Sequence, residues 1–176
     1  MINDKIEEAV SILFDAQIEA NRGLPENLFL LISSLIPIVN VDLLIIERKQ
    51  ILLSWRDDPF YGKGWHIPGG CIRFGETMEE RVQKTAINEI GTTMTIDQEP
   101  IAVRDVIRPP VKGLKDKNTR GHNLAILFRC YLPDNFIIDN HGKEKTENGY
   151  LQWFDKLPDN LLSVHDVYKN VLKKYI

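Results

Sequence analysis

The chain predicts an α/β fold, and three observations carry that prediction. A glycine loop, Gly69-Gly70 through Gly75, runs straight into a helix fixed at both ends. Apolar, β-branched runs of strand length stand on either side of it, Ile38 to Glu47 before and His122 to Arg129 after. A second helical pattern, Leu161 to Tyr175, closes the chain.

Taken in order, Asn3 or Asp4 caps a first helix whose Ile6, Val10, Leu13, Phe14 and Ile18 make one stripe, with Asn21-Arg22-Gly23 as its stop. Leu24-Pro25 starts a shorter helix with Leu28, Leu31, Ile32 and Leu35 on one side, ended before Pro37. Residues 1–36 are thus a two-helix extension, either packed as an appendage or forming the interface of a homodimer. The main domain, 37–176, begins with the Ile38–Glu47 strand. Arg48-Lys49-Gln50 turns it into Ile51–Trp55, and Arg56-Asp57-Asp58-Pro59 then leaves for a loop ahead of Gly64-Trp65. Asp42 interrupts the first strand. A carboxylate among Val41, Leu43 and Leu44 is costly to bury, so it either forms an internal pair or reaches a ligand.

The central helix carries a capping box, Thr77 with Glu80, and Gly91 is placed to end it in the left-handed conformation. Met78, Val82, Ala86 and Ile90 share the stripe that faces a core, while Arg81, Thr85, Asn88 and Glu89 lie together on a polar stripe toward the glycine loop. Ile101 to Ile107 is the next strand, residues 109–121 a basic loop, and His122 to Arg129 a central strand. Residues 139–149 are polar and loop-like, and Tyr150 to Phe154 is a last short strand.

Composition bounds the function. A chain of 176 residues, 43% hydrophobic and 27% charged, suits one globular domain with a core and an appendage. A net charge of −3 gives no support to non-specific nucleic-acid binding, so an anionic substrate needs local cations or a metal. Cys71 and Cys130 offer neither a disulfide framework nor zinc spacing. No apolar run reaches the roughly 20 residues of a membrane span. A cytoplasmic location without membrane partners is the expectation.

Gly70, five residues, Glu76, and a helix ending Glu89-Ile90-Gly91 resemble the Nudix box, G-x5-E-x7-R-E-U-x-E-E-x-G-U. Gly70, Glu76, Ala86, Glu89 and Gly91 agree with it. Lys84 stands at the Arg, Thr85 and Asn88 replace two of the glutamates, and Thr92 replaces the last apolar residue. A box reduced to its final Glu is similar to the GDP-mannose mannosyl hydrolase branch, and Trp65-His66-Ile67-Pro68-Gly69-Gly70 also resembles the family's approach strand. The resemblance implies an α/β/α sandwich around a mixed sheet and a nucleoside-diphosphate substrate. It implies Mg2+, or Mn2+ in its place, on Glu89 and the Gly70 carbonyl. It also matches Asp42, Arg56 and His122 to substrate-contacting positions. His122 either bonds a phosphate or leaving-group oxygen or simply pairs with a backbone carbonyl.

Two departures matter. Cys71 stands where the branch has an Arg after the double glycine, leaving Arg73 as the nearby guanidinium. Glu147 and Asn148 stand where it has a Gln-His pair that supplies a metal ligand and the general base. Asn148 cannot take a proton near neutral pH, so Glu147 or His122 is the expected base, with Glu147 also a candidate metal ligand. Attack at phosphorus benefits from several metals. Departure of a nucleoside diphosphate from a sugar C1 asks for less, and one Mg2+ with Arg56 suits it. The favoured expectation is therefore a Mg2+-dependent nucleotide-sugar hydrolase acting at C1. A Nudix pyrophosphohydrolase and a non-catalytic nucleotide-binding module remain as alternatives.

Overall fold

A computed structural model describes residues 2–107 and 122–176. The basic loop at 109–121 lies outside the described residues.

The architecture grows from β1 (Ile38–Glu47), which forms a hairpin with β2 (Gln50–Asp58) through Arg48 and Lys49. Both turn residues have positive φ, 46° and 63°, the conformation that matches the twist of a tight hairpin. On its other side β1 runs parallel to β7 (His122–Tyr131), from Ile38 opposite Asn123 to Ile45 opposite Cys130. The other strand-to-strand pairings among the described residues are antiparallel, so the sheet is mixed. β3 (Gly62–His66) and β8 (Leu151–Phe154) pair with β2, β4 (Gly69–Cys71) with β1, and β5 (Thr95–Ile96) and β6 (Ala102–Ile107) with β7. β1 and β2 share their ladder only beside the turn, at Ile46 and Glu47. Farther along they part, and β4 and β3 take up their separated edges.

Alternation along β1 divides the core in two. Val41, Leu43 and Ile45 pack with Ile126 and Phe128 under Val82 and Ala86 of α3 (Met78–Glu89) and Ile90, which caps its C-terminus. Leu44, on the opposite face, packs with Leu53, Trp65 and Leu127 against Leu161, Tyr168 and Leu172 near the C-terminus. Each Val, Leu, Ile or Phe among them is worth about 1.5–3 kcal/mol when fully buried. Helical layers on both faces make the expected α/β/α sandwich.

Three boundaries differ from the sequence reading. Residues 56–58 do not leave β2 for a loop. Arg56, Asp57 and Asp58 pair with Gly64, Lys63 and Gly62, so polar side chains occupy a true strand. The C-terminal segment is not one helix from Leu161 to Tyr175. It is a 3-10 turn, Ser163–Tyr168, followed by the short α4 (Lys169–Leu172). The Trp65 N–H bonds the Asn160 carbonyl at 3.0 Å and the Leu162 N–H bonds the Trp65 carbonyl at 2.8 Å. Residues 160–162 are thereby held extended against β3, and no helix can start before 163.

At the other end, α1 (Ile2–Asp15) stops early, where Gln17 has φ of 48°, and a 3-10 turn at Ala20–Arg22 leads to α2 (Glu26–Ser33). No residue of α1 is buried. Its predicted stripe lies open, with Ile6 57%, Val10 44% and Phe14 79% exposed.

Candidate functional site

The glycine loop reaches α3 as its capping box demands. The Glu80 N–H bonds Thr77 Oγ1 at 3.1 Å, and the Thr77 N–H bonds Glu80 Oε2 at 2.8 Å. At the far end Gly91, with φ of 88°, donates to the Ala86 carbonyl at 3.0 Å. Val82, Ala86 and Ile90 are buried as expected, whereas Met78 in the first turn is 45% exposed.

Glu76 folds inward onto this helix. Its side chain is only 5% exposed and accepts from Arg81 Nη2 at 2.6 Å and Nε at 2.8 Å, and from Lys84 Nζ at 2.9 Å. Burial alone would raise its pKa. The bonds from Arg81, the Arg73 N–H and Lys84 outweigh that and hold it at about 2. Lys84, which stands at the position of the box arginine, is thus one of the cations that hold Glu76. Gly70 lies over Thr85, and a Cβ there would stand 2.7 Å from Thr85 Oγ1, so backbone and helix touch where the family pattern has a glutamate.

A cleft opens where β1 and β2 part. Asn40, Asp42, Arg56, Asp58, His66, Gly69, Gly70, Asn123 and His165 line it. Asp42 shares the Leu44 face of β1, is 7% exposed, and accepts from Tyr168 Oη at 2.9 Å. Burial drives its pKa up. The Tyr168 bond pulls it down, the Glu89 charge adds to the rise and Arg56 opposes it, with a net value of about 7. Gly69 sits opposite Asp42, and a Cβ there would collide with Asp42 Oδ1 and lie 2.9 Å from the Val41 carbonyl oxygen.

Glu89 stands beside the cleft. Its Oε1 accepts from Arg56 Nη2 at 3.2 Å, and His66 Nε2 lies 3.3 Å from Oε2. Burial would raise its pKa, but the charge and bond of His66, the Arg56 charge and the Gly69 N–H bring it below the usual carboxylate value. An ionised carboxylate of this kind suits a single Mg2+ completed by water and substrate phosphates, which is how that ion is usually held. It does not suit a cluster. Among the described residues no three His, Cys, Asp or Glu come together as a metal site.

The structure thus brings together Asp42, Arg56, Gly70 and Glu89. Three other predicted residues lie elsewhere. Arg73 Nη1 donates to the Arg22 carbonyl at 2.7 Å, so this guanidinium ties the N-terminal segment to the glycine loop. Glu147 is exposed, with Oε2 accepting from the Glu144 N–H at 2.9 Å inside its own loop, and its neighbour Asn148 accepts from the Asp57 N–H at 2.5 Å. His122 begins β7 with Nε2 3.4 Å from Asp105 Oδ1. Alternation from Asn123 turns it to the sheet face opposite Asp42.

Sequence reasoning missed His66, Asn123, His165 and Tyr168. Only His66 had a signal, its place in the Trp65–Gly70 run. The 4%-exposed His165 accepts from the Ile67 N–H at 3.1 Å, and its pKa is held well below the usual imidazole value by burial first, then by the charges of His66 and Arg56.

No protein-family model matches the chain. Over 101 residues it is 31% identical to the low-salt glycan biosynthesis protein Agl8 of Haloferax volcanii, covering 56% of this chain and 62% of that protein. Over 99 residues it is 33% identical to an ADP-ribose pyrophosphatase of Methanocaldococcus jannaschii, covering 52% of this chain and 49% of that one. The chain therefore spans about half to three-fifths of the length of the curated relatives it matches.

Among solved structures, a MutT Nudix hydrolase from Burkholderia pseudomallei superposes with a TM-score of 0.58 at 20% identity, covering 80% of this chain and 98% of that one. A UDP-X diphosphatase gives 0.54 at 23%, covering 78% and 60%. The fold is the Nudix fold. Among the described residues no helix is long and apolar enough to cross a membrane.

Proposed function

We propose that the protein hydrolyses a nucleoside-diphosphate sugar, breaking the bond between sugar C1 and the diphosphate with one Mg2+ (or Mn2+) held by Glu89 and the Gly70 carbonyl. One observation carries this reading. A guanidinium, Arg56, and a carboxyl with pKa about 7, Asp42, face one cleft beside a single helical carboxylate. The likeness to a glycan biosynthesis protein supports a sugar-linked substrate. The bound ion would neutralise charge gathering on the departing diphosphate. Arg56, half-exposed and planar, lays its donors along the same phosphate oxygens. Water adds at C1, and Asp42 takes its proton, since a carboxyl titrating near 7 is matched to that task. Glu147 and His122 do not line the cleft, so Asp42 replaces both as the base in this proposal.

A second reading rests on the likeness to an ADP-ribose pyrophosphatase, in which water would attack phosphorus. Turnover of a nucleotide-sugar panel in 18O-labelled water separates the two. Label in the free sugar beside unlabelled nucleoside diphosphate is the expected result. Label in a nucleoside monophosphate or sugar phosphate refutes attack at carbon, and no product from any member favours a binding module.

α1 adds a proposal about assembly. Its uncovered Ile6, Val10 and Leu13 form one stripe, and we assign that stripe to a homodimer contact.

A further inference from the structure

His165 has no part in the chemistry above, yet it is a buried, hydrogen-bonded side chain of the cleft. Its Nε2 accepts from the Ile67 N–H. A neutral imidazole that accepts at one nitrogen carries its proton on the other, so Nδ1 is an N–H donor. That Nδ1 is buried and has no partner among the described residues. Asn40 Oδ1, on the same cleft lining, is a second buried polar atom without a partner among the described residues. Native proteins pair nearly all such atoms, so two on one cleft mark a place that something else completes.

The ring is also pinned. It lies near-parallel to His66 at 6.2 Å and 22°, and to Tyr168 at 6.5 Å and 20°. Tyr168 in turn holds Asp42. The donor therefore keeps a fixed direction relative to the carboxyl.

We propose that His165 and Asn40 form the subsite for the hydroxylated group of the substrate, with His165 Nδ1–H donating to a hydroxyl oxygen and Asn40 Oδ1 accepting a hydroxyl proton. This rests on the nucleotide-sugar reading and specifies which residues recognise the sugar. A hydroxyl both donates and accepts, which matches a donor and an acceptor set on one lining. A phosphate only accepts, and Asp42 and Asp58 on the same lining would repel it, so the diphosphate belongs with Arg56.

Two amide variants separate ligand recognition from a structural role. The amide of Asn overlays the Nδ1 position of a histidine, and that of Gln overlays Nε2. His165→Asn keeps a donor for the ligand and drops the Ile67 contact, whereas His165→Gln does the reverse. Both are titrated calorimetrically, with Mg2+, against nucleoside-diphosphate sugars and the corresponding bare nucleoside diphosphates. The Gln variant should lose roughly tenfold in affinity for the sugar nucleotide, as one lost hydrogen bond implies, and nothing for the bare diphosphate. The Asn variant should keep most of the wild-type affinity.

The opposite pattern overturns the proposal, since His165 would then be only a strut for Ile67. Wild-type binding by both variants overturns it too, because a resident water would be satisfying Nδ1. An equal loss for the bare diphosphate does the same. If wild-type protein binds no nucleotide, the functional reading fails by itself, and free sugars and polyols are titrated instead. A loss confined to the Gln variant then upholds the subsite, and no binding refutes it. Should neither variant fold, 15N-edited NMR of the wild-type imidazole decides. A downfield shift of the Nδ1 proton with ligand supports the assignment, and an unmoved proton refutes it.

Discussion

Replacing Asp42 by Asn should make the protein more stable and inactive, with a stability gain that depends on pH in a defined direction. The carboxyl is 7% exposed and its pKa rises from 3.8 to about 7 on folding, chiefly through burial. A raised acid favours the folded state while protonated. That stability is fully present below 3.8 and is lost as pH rises through about 7. The difference corresponds to ~4 kcal/mol once the group is ionised in both states. Asn offers the Tyr168 hydroxyl the same acceptor and never ionises. Urea unfolding of metal-free wild type and Asp42→Asn, at intervals from pH 4 to 8, should show nearly coincident curves at the acid end. At pH 8 the variant's midpoint should lie about 2 M higher, given typical denaturant slopes. A gap that stays constant between pH 5 and 8, or a variant less stable at pH 8, refutes the argument.

Glu76→Gln should destabilise by about 3 kcal/mol at neutral pH, because Arg81 keeps its buried charge without a partner, as calorimetric or urea melts would show. Glu76 has a depressed pKa, so its contribution is present above 4.5 and lost as pH falls toward 2, and the variant should lose less over that window. Glu89→Gln should keep the fold and weaken Mn2+ binding followed by paramagnetic relaxation; equal affinity would remove Glu89 from the metal site. Ile6→Glu with Leu13→Glu should convert a sedimenting dimer to monomers without changing thermal stability, and a wild-type monomer at all concentrations contradicts the α1 interface.

The parts of this protein legible in the sequence are those fixed by near neighbours. Thr77 and Glu80 announce the start of α3 because a cap is a contact over three positions, and β1 is readable because apolar and β-branched residues dominate it despite Asn40 and Asp42. Glu89 stands out by the spacing of the box and Arg56 by its resemblance to a substrate-contacting position, and the fold brings the two within hydrogen-bonding range of each other. The misplacements have local causes too. Arg73 finds the Arg22 carbonyl and Glu147 finds the Glu144 N–H, two nearby backbone groups that a pattern of residue types does not represent. His165 and Tyr168 were invisible for the reverse reason. Their segment carries helical periodicity, and the distant bonds of Trp65 to residues 160 and 162 hold its first residues extended, so the 3-10 wall begins only at Ser163.

The bond from Tyr168 to Asp42 joins positions 126 apart. At ribosomal speeds of about 5–20 residues per second, Asp42 leaves the decoding centre on the order of ten seconds before its hydroxyl partner exists. During that interval the central strand has nothing to cover the face that carries its carboxylate. The site is consequently finished only after residues 160–172 have been made, and a stalled or clipped product stopping short of His165 would retain the glycine loop and its helix while missing the wall that makes them a pocket.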